Sequence, residues 1–103
     1  MKPIERRKTF TTLHRVGRKR GVSVVEEADV GSGSHGSILF YSQPGVRPVR
    51  IIIVYSREIS PGVQRAILKQ LERQASMQSG GSAERLLTTA VLEMCRACFG
   101  ASS

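Results

Sequence analysis

The apolar run VRIIIVY, Val49 to Tyr55, limits the possible folds more than any other stretch. Its β-branched residues suit the pleated, half-buried surface of a strand. Its near-continuous apolar character predicts a strand in a central, covered position. The cover has to come from the chain, and the next segment offers it. SPGVQRAILKQLERQ places Ser60 as an N-cap and Pro61 at the first helical position, where a missing N–H costs nothing. Val63, Ile67 and Leu71 recur every four residues beside Ala66 and Leu68, a stripe that would lie on the sheet.

The segments before this pair complete a pattern. In residues 6–20, Phe10, Leu13 and Val16 fall on one helix face, with Thr9 as a candidate cap and Gly21 as a stop. Gly17 inside this helix weakens it by its entropy cost. VSVVEEA, Val22 to Ala28, reads as a first strand, and SILFY, Ser37 to Tyr41, as a second. QPGVRP, Gln43 to Pro48, is turn chemistry and makes a hairpin into the apolar run. The segment 76–82, SMQSGGS, is a linker by composition. Ala83 to Phe99 forms a further amphipathic helix with Leu87, Val91, Met94, Cys95 and Cys98 on its apolar side. The fold class is α+β: a three-stranded antiparallel sheet with two helices on one face, in the order helix, strand, strand, strand, helix, plus an appended C-terminal helix. The division is residues 1–75 as the domain, 76–82 as the linker and 83–99 as the helix.

Charge narrows the function. The net charge is +8 over 103 residues. Lys2, Arg6, Arg7, Lys8, Arg15, Arg18, Lys19 and Arg20 crowd the first twenty positions, opposed there by Glu5 alone. Cations gain affinity for polyanions by displacing counterions from phosphates, so nucleic acid leads the candidate partners. Arg15, Arg18 and Lys19 gather on one side of the first helix. Arg65, Lys69 and Arg73 repeat every four residues along the second, a pattern that fits a phosphate-binding face and an ordinary solvated face equally. No apolar run approaches the ~18 residues of a membrane span. No apolar segment follows the early basic residues as in a secretory signal, and the expected setting is the cytoplasm.

Residues able to carry chemistry are few. There is no P-loop, no dinucleotide-binding glycine fingerprint and no HExxH. Alternation along a strand sends Glu26 and Glu27 to opposite faces, which leaves them and Asp29 a poor cation site. Cys95 and Cys98 form a CxxC without the two further ligands that zinc requires, and read as small apolar packing residues. No metal or cofactor is expected. His14 neighbours the basic cluster and fits a phosphate contact or a plain surface position. His35 stands in GSGSHGS, Gly31 to Ser37, just before the second strand. Glycine-borne loops on a rigid sheet are common platforms for catalytic groups, and imidazole exchanges protons near neutral pH.

Gly33-Ser34-His35, then IIIVY, then Glu58 to Leu71 with its Pro-Gly helix start and ILKQ, occur in an order that resembles the HicA-type toxins. The resemblance covers about residues 9–75. It implies a double-stranded-RNA-binding-like fold and a metal-independent endoribonuclease acting on mRNA, neutralised by a HicB-type antitoxin. His35 takes the position of the catalytic histidine, and Gly33 and Ser34 those that shape its loop. Gly36 departs from the pattern, since many members carry a second histidine or a polar residue there. The stretch from Gly21 to Gly33 is also longer than usual. Arg15, Arg18, Lys19, Arg65, Lys69 and Arg73 are the expected RNA contacts. Segment 76–103 lies outside the resemblance and is a candidate for dimerisation or antitoxin contact. Two other readings stay open: a non-catalytic RNA-binding module of the same fold, and an interaction domain whose basic face meets an acidic protein.

Overall fold

The computed structural model describes residues 2–28, 35–54 and 56–99; at Ala28, His35 and Val54 the description is of the backbone. The elements are β1 (Ile4–Glu5), α1 (Arg6–Arg20), β2 (Ser23–Ala28), β3 (His35–Tyr41), β4 (Val49–Val54), β5 (Glu58–Ile59), α2 (Pro61–Met77) and α3 (Ala83–Phe99). β2, β3 and β4 form an antiparallel sheet in that order, and β1 pairs with β5 in a separate two-residue ribbon. The α+β class and the three-stranded antiparallel sheet match the sequence expectation.

Alternation along the strands gives the sheet one buried face. Val24, Ile38, Phe40, Val49, Ile51 and Ile53 are buried and share a core with the helices. The other face carries Val25, Tyr41 and Ile52, all exposed, around a buried Leu39 on the central strand. The apolar run was expected at the centre of the sheet, but β4 is an edge strand and β3 is central. Ile52 shows why the pattern misleads: it continues the apolar run yet is 54% exposed on the uncovered face.

The helices are set by local chemistry. Ser60 Oγ accepts from the Val63 N–H at 3.3 Å and starts α2. Ser82 Oγ accepts from the Arg85 N–H at 3.1 Å at the start of α3. Gly21 ends α1 at φ 72°, a left-handed value that glycine adopts without strain. Thr9 does not cap α1, which begins a turn earlier. Thr9 is buried, and its Oγ1 donates to the Glu5 carbonyl oxygen at 3.1 Å.

The sequence predicts α3 as an appended helix, and here the packing differs. α3 touches α1, α2, β3 and β4, so it lies between the other two helices and over the sheet. Leu87, Val91, Leu92, Met94, Cys95 and Phe99 join the same core as Leu13, Ile67 and Leu71. α3 packs here because two helices leave apolar sheet surface uncovered, and its apolar side fills that space. Leu86 is the large apolar residue that α3 leaves exposed.

Two contacts fix the edges of the site described next. Gly17 of α1 sits where a Cβ would lie 2.6 Å from the Val22 carbonyl oxygen, 3.1 Å from Met94 Cε and 3.2 Å from Val24 Cγ2. Only glycine lets α1 approach β2 and α3 this closely. Gln64 of α2 is fully buried, and its Nε2 donates to the carbonyl oxygens of Lys2 at 2.7 Å and Ile59 at 2.9 Å. That amide ties the β1–β5 ribbon to α2.

Candidate nucleic-acid interface

A cleft of about 570 Å³ opens beside the start of α1. α1 contributes Arg6, Arg7, Phe10, Thr11 and His14; β2 contributes Glu26; Ser56 and Arg57 come from the segment between β4 and β5. The ribbon brings that last segment in, since the Arg6 N–H donates to the Arg57 carbonyl oxygen at 3.0 Å. A second cleft, about 250 Å³, continues along α1 and is lined by His14, Arg18, Val22, Ser23 and Val24. His14 belongs to both.

The charges in these clefts differ in how they are held. Arg6 Nη2 donates to Glu26 Oε1 at 2.8 Å, and its guanidinium lies 4.7 Å from the centroid of the Phe10 ring. Arg6 is therefore occupied, and Glu26 is neutralised. Arg7, His14, Arg18 and Arg57 are exposed, and no side-chain hydrogen bond or ion pair engages them among the described residues. The first turn of α1 holds no acidic residue. Cations there stand against the helix dipole, whose positive end also attracts anions.

The predicted residues separate. His35 is the first residue of β3, paired in register with Val54 of β4; Ser56 and Arg57 follow two and three residues later. The start of β3 and the larger cleft thus lie toward the same end of the sheet, with Glu26 of the cleft two residues before the end of β2. Gly33 and Ser34 lie outside the described residues. Arg18 lines the smaller cleft, whereas Arg15 acts on α3, where its charge pulls down the Cys98 thiol. Lys19 is exposed and lines neither cleft. Arg65, Lys69 and Arg73 are exposed on α2 and also line neither.

Sequence reading missed Arg7 and Arg57 as cleft residues. Arg7 had a signal: positions 7, 11, 14 and 18 share one helix face. Arg57 had none, because a two-residue ribbon carries no periodicity. Cys95 is fully buried, and burial pushes its thiol far above the ordinary range. Cys98 is half-buried, and burial pushes its thiol up to about 11, against the opposing pull of Arg15. Neither is a nucleophile at neutral pH. Among the described residues, no three His, Cys, Asp or Glu side chains group as a metal site, and no helix is long and apolar enough to cross a membrane. Comparison of the chain with protein-family models, curated proteins and solved structures finds no match.

Proposed function

We propose that this protein binds RNA and cleaves it without a metal, as the toxin of a toxin–antitoxin pair whose partner is a HicB-type antitoxin. The likeness of its fold to double-stranded-RNA-binding domains, its action on mRNA and its cytoplasmic setting belong to the same proposal. The observation that supports it is one of placement: the strand position of His35 lies at the same end of the sheet as a cleft carrying Arg7, His14 and Arg57.

The chemistry uses a nucleophile that RNA supplies. His35 accepts the proton of a 2′-hydroxyl, whose oxygen bonds to the adjacent phosphorus. The bond from phosphorus to the 5′-oxygen breaks, that oxygen takes a proton from water, and a 2′,3′-cyclic phosphate remains. Arg7 and Arg57 offset the charge that builds on the non-bridging oxygens. A second reading, a non-catalytic RNA-binding module, is favoured by the same cations, since phosphate contacts alone suffice for binding.

The test is cleavage of RNA by purified protein in chelator. Wild type is expected to cut, and His35→Ala to lose at least about a hundredfold of the rate, in line with the usual contribution of one general base. Equal rates for the two proteins overturn the catalytic role. Binding without cleavage by both leaves the module reading in its place.

A further inference from the structure

We infer that the groove between α1 and β2 is a track for one phosphodiester strand, with Arg57 and Arg7 at one end, His14 in the middle and Arg18 at the other. It rests on the RNA-binding part of the function proposed above and adds where the backbone runs.

The spacing carries the first part. Arg7, Thr11, His14 and Arg18 advance by four, three and four residues, so they stand in one row on α1. At 1.5 Å of rise per residue the row is about 16 Å long. Successive phosphates of a single strand stand further apart than the roughly 3.4 Å axial spacing within a duplex, so the row spans a few phosphates. A basic row on a convex helix would be an ordinary solvated face. This row instead forms one wall of two clefts that meet at His14, and β2 with Val22 and Ser23 forms the other wall. The two clefts are small, about 570 and 250 Å³, so the occupant inferred is one backbone and not a duplex.

The way the charges are held carries the rest. Arg6 satisfies Glu26 and stacks on Phe10, which removes both from competition for an anion. Arg7, His14, Arg18 and Arg57 have no such engagement among the described residues. Glu5, also in the larger cleft, is the one carboxylate there that no ion pair neutralises among the described residues. It stands at the end of the row, beside the β1–β5 ribbon, and the Arg7-to-Arg18 stretch itself holds no carboxylate.

The experiment measures binding apart from cleavage. Anisotropy of a short labelled single-stranded RNA is followed across a salt series in chelator, with His35→Ala as the parent so that the RNA stays whole. Arg7→Gln combined with Arg18→Gln is expected to weaken binding at least about tenfold. The slope of log affinity against log salt should become shallower by about 1.4, at about 0.7 per lost phosphate contact. Arg18→Gln alone should give about half that change in slope. Arg96→Gln, which removes an equal charge from a surface pair with Glu72, should change little. Circular dichroism checks that each variant is folded. DNA of the same sequence should bind the parent about equally, because phosphate contacts carry no sugar information.

The track is overturned if the double variant binds as the parent does while Arg65→Gln, Lys69→Gln and Arg73→Gln together take the loss. It also falls if Arg96→Gln weakens binding as much, or if a duplex binds more tightly than the single strand. A parent that binds no RNA removes the track and the RNA reading together. Binding that depends on Arg7 and Arg18 in a wild type that cuts nothing keeps the track and removes the catalytic reading alone.

Discussion

Two basic rows run along two helices of this protein, and their surroundings differ. Arg65, Lys69 and Arg73 recur every four residues on α2 and stand exposed, outside both clefts beside α1. Arg7, His14 and Arg18, seven and four residues apart, share one face of α1, and a strand faces them. Periodicity is the same signal in both. Only packing turns one row into a groove wall, and the packing depends on residues that carry no charge. Gly17 lets α1 settle against β2, and Gln64 anchors the ribbon that delivers Arg57.

The comparison is broken most strongly at the glycines. A Cβ at Gly17 meets the Val22 carbonyl at 2.6 Å, and that oxygen is backbone that also accepts no easy displacement, since the Val22 N–H donates to the Gly17 carbonyl at 2.8 Å. Gly17→Ala should therefore destabilise the protein by about 1–3 kcal/mol of overpacking, more than the ~1 kcal/mol of helix propensity it returns. The melting temperature should fall by several degrees, and RNA affinity should fall with it if the groove opens. On α2, a Cβ at Gly62 would meet Ser60 Oγ at 3.9 Å, an ordinary contact. Gly62→Ala should raise stability by about 0.5–1 kcal/mol and leave binding as it is. Urea unfolding of the two variants reads both signs. A Gly17→Ala protein as stable as wild type would mean that α1 is not seated this closely.

A smaller effect concerns the side of α1 turned to α3. The Cys98 thiol is raised from an ordinary 9.0 to about 11, by burial first and against Arg15, and Cys95 is raised further by burial. A raised folded-state pKa means the folded form holds its proton more tightly than the unfolded form. The stability this contributes is full below about pH 9 and declines as pH rises through about 11. Urea midpoints should therefore fall between pH 9 and pH 11, and Cys98→Ala should flatten that fall. An unchanged pH dependence in Cys98→Ala would show that the thiol is not buried against α1 and the core.

These contrasts mark what the sequence made legible. The start of α2 at Ser60-Pro61, the end of α1 at Gly21 and the bounds of α3 were readable because caps and periodicity are local. The order of strands was not. VRIIIVY reads as a central strand, and nothing within it distinguishes Ile52, on the uncovered face, from Ile51 and Ile53 in the core. The place of α3 was hidden for the same reason, since an amphipathic helix shows that it has a partner and not which one. At the site, the α1 row was readable from spacing. Arg57 was not, because it arrives through the pairing of Ile4 with Ile59 across most of the sequence.

The weakest expected effect separates charge that is aimed from charge that is only present. Arg20 is the last residue of α1, two residues beyond Arg18, and its Nη1 donates to Glu93 Oε2 of α3 at 2.6 Å. The short distance suggests a strong tie between the helices. Both side chains are more than 40% exposed, though, and water and salt screen an exposed pair. Glu93→Gln should lower stability by about 0.5 kcal/mol or less, and the difference should shrink further at high salt. RNA affinity should not fall, because the substitution leaves Arg20 without its carboxylate and removes no cation. If Glu93→Gln instead tightened RNA binding several-fold, the track would extend past Arg18 to the end of α1. Arg20 would then be a contact that Glu93 holds back, and the boundary between aimed and merely present charge would move by two residues.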